Sequence, residues 1–593
     1  MRIPLWIAVC LLILGSRLTQ AQDATVTGRV VNAEDNLPMP GVSVVLKGST
    51  TGTTTNAEGT YRLTVPSSAT LVFSFVGFLP QEVPLQGRSS LNIAMNPDVR
   101  SLQEVVVVAY GQQTRRALTG AVSSVNAEQI RSQQIVSATQ ALQGTAPGVQ
   151  VVNTSGQPGD NPAIRIRGVG SINASANPLI VVDGVPFQGN INSINPGDVE
   201  SMSVLKDASA AALYGSRAAN GVILITTKSG KKGAPEINVF STYGVSSRAV
   251  RDYPFLNTQE HFELGWEALR NVAQDAEIPN PEQWATDNLV DEFRYNPYNI
   301  PKPVGTDGRL AGGAQPLWNT DWERELTNRN AARREVGVNI TGGNDKTRYY
   351  LSTAYLDQQG YLITSKFNRL NTRLNLTSDL RDWLQVGIRS QYVFSDQNAP
   401  DQSGTTFDNV VQYVRSMSSI YPVYQRDDNG KEILDAAGQP IWDFGRPIPG
   451  RQVNANRNTL QPSNLLASTF LNDLQRRRQT SSLNAFAEVK PFAGFRIKST
   501  FGVDRYHFLR FDYENPNFGN GEEVGGRVFR QNDLTTSWTW NNMVGYNRDF
   551  NGHNIDLMGS IEAYNFVYET LSAQKSGFPF GGLKEFNSGA KLE

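Results

Sequence analysis

The stretch Leu370 to Leu380, "LNTRLNLTSDL", puts Leu370, Thr372, Leu374 and Leu376 on one side of an extended chain and Asn371, Arg373 and Asn375 on the other, because successive strand side chains point to opposite faces. The same period runs through "WLQVGIRSQYVF", where Leu384, Val386, Ile388 and Tyr392 oppose Gln385, Arg389 and Gln391. In "FRIKSTFGVDR", Phe495, Ile497, Phe501 and Val503 alternate with Arg496, Lys498 and Asp504; "SLNAFAEVK" and "NIDLMGSIEAY" repeat the pattern. Segments of roughly ten residues with one polar and one apolar face have the length a tilted strand needs to cross a bilayer. A soluble sandwich alternates as well. The long polar insertion from Asn398 to about Leu474, and aromatics such as Trp383 and Tyr392 beside the strands, favour a membrane barrel.

The chain's first residues agree with export. Arg2 supplies a positive start, "LWIAVCLLILG" an apolar run too short to span a bilayer, and Thr19-Gln20-Ala21 small residues for cleavage, so 1–21 reads as a signal peptide. Acylation of Cys10 is the lesser reading, since Leu11 to Leu14 still follow it inside the apolar run. Cys10 is the only cysteine of the 593 residues, so disulfides, thiol catalysis and cysteine metal sites are excluded from the mature chain. His261, His507 and His553 lie far apart and form no zinc spacing. A net charge of −1 gives no support to a nucleic-acid partner.

Residues 24–95 read as a small all-β sandwich. "ATVTGRVVN" alternates, "GVSVVLKG" follows a Pro-Met-Pro-Gly turn, "TTTNAEGTYRLTV" reads as a hairpin turning at Asn56 to Gly59, and "TLVFSFVGF" as a buried strand. These residues resemble the carboxypeptidase-regulatory-like domain, a transthyretin-like sandwich, with none of a peptidase's zinc ligands. A polar connector follows, and within 96–114 stands "EVVVVAYGQQ", an unbroken valine run that fits neither neighbour's alternation.

From 115 to 232 the pattern is mixed. Asn126 with Gln129 and Ser137 with Gln140 have capping-box spacing, and Gly144 fits a helix stop. "PLIVVDGVPF" reads as a strand entering an Asp183-Gly184 turn, and Val199 to Leu205 as another strand. In "KDASAAALYGSRAANGVILITTKSG", Asp207 is expected to cap an alanine-rich helical turn that Gly215 ends, with Asn220-Gly221 turning the chain into a strand. "RGVGSIN" lacks the dinucleotide glycine spacing, and no phosphate-loop pattern follows any strand. "RDDNGKE" lacks the calcium-loop ligand series and reads as a hairpin turn. No catalytic group, metal site or cofactor is indicated.

The ordered series "EVVVVAYGQQ", "RIRGVGS", "PLIVVDGVP" and "NPGDVESMSVLKDASAAALYGSRAANGVILITTKSG" resembles the SusC/RagA family of TonB-linked outer-membrane transporters of Bacteroidota. The resemblance implies a mainly β chain: the transthyretin-like β-sandwich, an α+β plug, and over 233–593 the first part of a 22-stranded transmembrane β-barrel. It implies that Glu104, Val105, Val106, Val107, Val108, Ala109, Tyr110 and Gly111 form a TonB box, where the TonB C-terminal domain adds a strand through main-chain hydrogen bonds. A buried strand of either neighbouring domain is the alternative, and Ala109 stands where the family commonly has glycine. Arg165, Arg167, Gly168, Asp183, Gly184, Lys206, Asp207, Tyr214, Gly215, Asn220 and Gly221 would belong to the plug motif. Arg165 and Arg167 are expected on one strand face, either pairing with acidic groups of the barrel wall or forming solvated plug surface. The implied partners are TonB, a SusD-like surface lipoprotein, outer-membrane lipid and an oligosaccharide or peptide substrate. A metal-chelate receptor and an exported β-rich adhesion or scaffold protein are the other readings. About nine strands are legible from 236 onward, so the sequence is expected to be an N-terminal part of a longer transporter.

Overall fold

The computed structural model describes residues 23–593 apart from 34, 50, 76–77, 97–104, 109–110, 115–121, 133–134, 136, 154, 172, 174, 208–211, 251, 401–408 and 551–552. The expected signal peptide lies outside the described residues. Two units, Met1–Thr119 and Gly120–Glu593, make up the chain.

The first unit contains β1 (Asp23–Asn32), β2 (Ser43–Leu46), β3 (Gly52–Thr54), β4 (Thr60–Pro66), β5 (Thr70–Ser74), β6 (Gln81–Pro84) and β7 (Ile93–Met95). They form two sheets, β4-β1-β7 and β3-β2-β5-β6. Val26, Val30, Val44, Leu63, Leu71 and Phe73 meet in a common core. The strict alternation of "TYRLTVP" buries Tyr61, Leu63 and Val65 from one side. The turn at Asn56–Gly59 exists, with Gly59 N donating to Asn56 O at 2.9 Å. It is not a hairpin, however: β3 pairs with β2 and β4 with β1, in different sheets. Buried Thr55 fixes this corner, donating to Met39 O at 2.6 Å and accepting from Val42 N at 2.9 Å. The chain thereby crosses layers so that Tyr61 and Leu63 face the core from the second sheet. After the sandwich come β8 (Val105–Val108) and β9 (Gly111–Thr114).

The second unit begins with a plug. Its strands are β10 (Val122–Asn126), β11 (Val149–Val152), β12 (Ala163–Ile166), β13 (Leu179–Val182), β14 (Val185–Pro186), β15 (Val199–Leu205) and β16 (Val222–Thr227). Five of them form a mixed sheet in the order β10-β15-β16-β13-β14, while β11 and β12 pair separately. A helix, α1 (Ala127–Ser132), starts where Asn126 and Gln129 exchange backbone-to-side-chain hydrogen bonds of 3.0 and 3.1 Å, as the spacing predicts. Apolar β16, flanked on both edges, is the buried centre of the sheet. Gly144 and Gly221 have φ of 73° and 83°. Gly215 (φ 60°, ψ −148°) is a non-helical kink between two helical pieces within Ala212–Ala218, so the first turn ends there as expected; the cap expected from Asp207 would act on residues outside the described set.

Beyond the plug runs an antiparallel meander in sequence order: β17 (Gly233–Ser246), β18 (Ala331–Gly343), β19 (Thr347–Gln359), β20 (Lys366–Arg381), β21 (Leu384–Asn398), β22 (Asp473–Val489), β23 (Phe495–Glu514), β24 (Arg527–Phe550), β25 (His553–Ser576) and the two-residue β26 (Lys591–Leu592). The nine long strands match the sequence reading. On β20, Leu370 and Leu374 are exposed while Arg369, Asn371, Arg373 and Asn375 are buried, the side assignment the alternation predicts. Among the described residues no helix is long and apolar enough to cross a membrane. Connections alternate in length: 344–346, 382–383 and 490–494 at one end, 247–330 and 399–472 at the other.

Those two long connections are not bare loops. They carry α2 (Thr258–Asp275), α3 (Pro281–Phe293), α4 (Trp322–Leu326), α5 (Val410–Ser416) and α6 (Leu465–Leu471). Together they bury Phe262, Trp266, Leu289, Trp322, Tyr413 and Leu465 in a joint core. Within it Asp443 accepts from Tyr295 Oη at 3.0 Å, and the Arg457 guanidinium donates to the carbonyls of Leu460 and Ser463 at 2.8 and 2.6 Å. The segment "RDDNGKE" is the tight turn expected, with Asp427 N and Lys431 O 2.9 Å apart.

Candidate functional site

The plug is held by the polar face of β19, β20 and β21. Asp198 enters this face beside β15: its Oδ1 accepts from Tyr350 Oη at 2.9 Å and Ser352 Oγ at 2.6 Å. Asp183, at the β13–β14 turn, accepts from Thr227 N at 3.0 Å and Thr227 Oγ1 at 2.7 Å. One wall residue serves both acids. Arg373 places Nη1 3.7 Å from Asp183 Oδ2 and Nε 3.8 Å from Asp198 Oδ2, with its side chain and both carboxylates almost wholly buried. A buried guanidinium between two buried carboxylates is tolerable because each side offsets the other's desolvation.

Neighbouring contacts reach plug backbone. Arg369 Nη1 donates to Asn192 O at 2.7 Å, Gln391 Nε2 to Ser193 O at 3.1 Å, and Asn375 Nδ2 to Lys228 O at 2.6 Å. Gln397 Nε2 holds Pro158 O and Asp160 Oδ1 at 2.9 and 2.7 Å. A second clamp lies on β25, where Arg217 Nη2 meets Glu562 Oε1 at 2.5 Å with its guanidinium 4.6 Å over the Tyr564 ring. Between the clamps Gly502 lets the wall approach the plug closely; a Cβ there would stand 2.8 Å from Val185 Cγ1. Polar atoms therefore make most of the seat, with wall Phe367 close against plug Gly159 and plug Val185 against Gly502 beside them.

The residues singled out in the sequence divide between two jobs. Asp183 and Gly184 form the tight turn (φ 51° and 89°), and Asp183 additionally faces the wall. The remainder are plug-internal. Arg165 donates to Asn177 Oδ1 at 2.7 Å. Arg167 lies past the end of β12 with φ of 58° and pairs with Asp207. The expectation that both arginines share one strand face is thus corrected: Arg167 sits in a left-handed turn with Gly168 (φ 96°), and its ion pair lies inside the plug. Lys206 donates to Ser123 Oγ at 2.5 Å and Pro147 O at 2.6 Å, and Asn220 to Ser175 O at 2.7 Å. Tyr214 is buried, and burial pushes its hydroxyl above the usual range. Sequence reasoning missed the Asp198–Arg373 and Arg217–Glu562 pairs. Their signal was present in part, since Arg373 sat on the polar face of an otherwise leucine-rich strand.

Glu104, Ala109 and Tyr110 lie outside the described residues. Val105 to Val108 are extended, and β8 pairs antiparallel with β9 from Val105 opposite Thr114 to Val108 opposite Gly111. The valine strand thus has a ladder partner of its own in the next residues of the linker, a pairing the sequence reading did not include. Among the described residues its sheet consists of β8 and β9.

Comparison with known proteins fits this geometry. The TonB-dependent Receptor Plug Domain matches residues 114–222, and the CarboxypepD_reg-like domain matches residues 26–107. TonB-dependent receptor SusC of Bacteroides thetaiotaomicron is 32% identical over 580 residues, 95% of this chain and 50% of that protein. Over nearly its whole length the chain is thus SusC-like, a homologue of TonB-dependent receptors. Another relative of this SusC-like chain, TonB-dependent receptor P3 of Formosa agariphila, is 30% identical over 586 residues, 97% of this chain and 50% of its own length. Among solved structures, the RagAB peptide importer in its open-open state superposes with a TM-score of 0.61 at 25% identity, covering 83% of this chain and 53% of the other. The SusC-like chain therefore spans about half the length of the curated relatives it matches.

Proposed function

We propose that the whole protein imports oligosaccharides or peptides across the outer membrane, driven by TonB. In this reading 24–95 is a periplasmic carboxypeptidase-regulatory-like domain, 96–114 a linker containing the TonB box, 115–232 the plug and 233–593 barrel wall. The N-terminal domain and plug face the periplasm, the long-connection end faces outward, and a SusD-like lipoprotein serves as surface partner. The observation that carries the proposal is the polar seat: a plug domain held on one face of a strand meander by Arg373, Asp183 and Asp198, while the other face of the same strands is apolar. A seat of hydrogen bonds and ion pairs can be exchanged for water, which an apolar core cannot.

The valine strand supports the same reading. Its main-chain groups offer strand addition to a TonB domain at low entropic cost, and β9 is the ladder partner that such an addition would flank or replace. No nucleotide is needed, because the work would come from a pull transmitted through this segment. Substrate class rests on the relatives: the RagAB structure is of a peptide importer.

The test is deletion of Glu104 to Tyr110 in the whole receptor, with growth on the imported nutrient and uptake of labelled substrate measured. Uptake should fall to background while the protein remains folded in the outer membrane. Undiminished uptake would refute the assigned role.

A further inference from the structure

At the long-connection end a cleft of about 1010 Å³ opens where the chain leaves β17, beside α4 and the end of α5. Small-molecule sites occupy about 300–1,000 Å³, so there is room for several sugar or amino-acid units. An ion-pair hub ties its walls together. Asp252 accepts from Arg415 Nη2 at 3.0 Å and from Arg248 Nη2 at 3.2 Å. Arg248 Nη1 reaches Glu323 Oε1 at 2.7 Å, and Tyr361 Oη donates to the same oxygen at 3.0 Å. Asp252 Oδ1 also holds Tyr253 N at 3.0 Å, and Pro254, next in sequence, restricts Tyr253 to extended backbone.

The charges left over have one sign. Four arginines line the cleft against three acids, Asp252, Asp321 and Glu323, and the hub takes up two of those acids. Arg324, exposed on α4, makes no ion pair among the described residues. Arg329 has Asp321 at 3.8 Å, both side chains being mostly solvated, a contact worth about 0–1 kcal/mol. The surrounding connection 247–330 is acidic, with fourteen Asp and Glu to eight Lys and Arg. Two under-used guanidiniums therefore form a positive spot in a negative surround, and such a field draws an anion to one place. Neutral donors stand beside them. Asn319 Oδ1 is occupied by Thr258 N and Oγ1 at 3.1 and 2.9 Å, which leaves its Nδ2 without a partner among the described residues. Tyr253 and Phe255, 86% and 42% exposed, line the same cleft and pack on no other ring among the described residues.

We propose that this cleft binds an oligosaccharide carrying uronate carboxylates. Arg324 and Arg329 meet the carboxylate, whose planar pair of oxygens matches the guanidinium fork. Asn319 Nδ2 donates to ring hydroxyls, and Tyr253 and Phe255 take the C–H faces of the sugars. An acidic peptide shares the charge but suits the cleft less well. None of the described lining residues lies in a strand, so an extended peptide finds no edge on which to build a ladder. The inference deepens the import reading and rests on its outward placement of this end of the protein.

The experiment uses the whole receptor in detergent, purified without TonB, in calorimetric titrations. The probes are trimers of galacturonate, glucuronate and mannuronate, their carboxyl-reduced counterparts, and a hexapeptide of aspartate. At least one uronate trimer should bind, more weakly as salt is added. Its affinity should fall at least about tenfold on carboxyl reduction and in the R324Q/R329Q variant. Tyr253→Ala should weaken the same sugar without changing the salt dependence. Should the double variant fail to fold, Arg324→Gln alone must weaken binding and Arg324→Lys must largely keep it. Absence of binding by all three uronate trimers, equal binding of the reduced sugars, unaltered affinity in the arginine variants, or tighter binding of the aspartate peptide would each overturn the proposal. Binding is read without uptake, so its failure leaves the import reading standing, and a receptor that binds the sugar but imports nothing would sink that reading alone.

Discussion

Arg373 is the residue on which the seat turns. Replacing it with methionine keeps the bulk of the side chain and removes the one guanidinium that stands between buried Asp183 and Asp198. Removing one partner of a buried ion group costs about 3–5 kcal/mol, because the remaining charge stays desolvated. Hydrogen exchange over residues 179–186 and 222–227 should quicken in Arg373→Met and recover partly in Arg373→Met with Asp198→Asn. No change in the single variant would show that the pairs are incidental. At the long-connection end, His261 packs 5.2 Å from the Phe293 ring, and burial holds its imidazole below the ordinary 6.5. A lowered folded value means the unfolded chain binds the proton more readily, so this contribution is present above pH 6.5 and is lost on acidification. Protection of α2, corrected for intrinsic exchange, should therefore fall between pH 7 and pH 5 more in the wild type than in His261→Gln. Asp443 in the same core works in the opposite sense, since burial raises its carboxyl; the variant comparison isolates the histidine.

At the scale of elements, alternation made the barrel wall legible. Leu370 and Leu374 against Asn371 and Arg373 fix which face of β20 turns outward and which meets the plug, and period 2 leaves no second solution. Leu374→Arg should accordingly destabilise the inserted wall, by about 2–4 kcal/mol for a midplane position and about 0–1 kcal/mol for an interfacial one, read as loss of folded receptor in the outer membrane at elevated urea. Retained insertion at wild-type urea would place that face elsewhere. Two kinds of feature escaped the sequence. Sheet membership around Asn56–Gly59 depends on which layer Tyr61 and Leu63 must face, and a turn signal carries no such information. The helical core of 247–330 and 399–472 joins segments separated by four strands, so Phe262 and Tyr413 share an environment that no local pattern records. The plug contacts failed for the same reason: Asp198 and Arg373 are ordinary polar residues until topology brings them together.

For the whole molecule, the proposed import requires that the plug, or part of it, leave its seat. That requirement can be tested by holding it in place. Asn375 Nδ2 of the wall lies 2.9 Å from Thr227 Oγ1 of the plug, and neither side chain is charged. Converting the pair to cysteines keeps the Arg373, Asp183 and Asp198 side chains and the Thr227 backbone donor to Asp183, and replaces only the Thr227 hydroxyl by a thiol. Cys10, within the expected signal peptide, is the only natural thiol of residues 1–593, so a methanethiosulfonate cross-linker would bridge the new pair without competition from residues 22–593. With the link confirmed by mass spectrometry of the digested receptor, uptake of labelled substrate should fall to the level of the Glu104–Tyr110 deletion and return on reduction. Each single cysteine variant should respond little to the reagent. Full uptake by the linked receptor would mean that substrate passes while β16 stays fixed against β20, and the moving part would then have to be sought among plug segments that this link does not hold, beginning with β10 and α1, which lie at the sheet edge nearest in sequence to the valine strand.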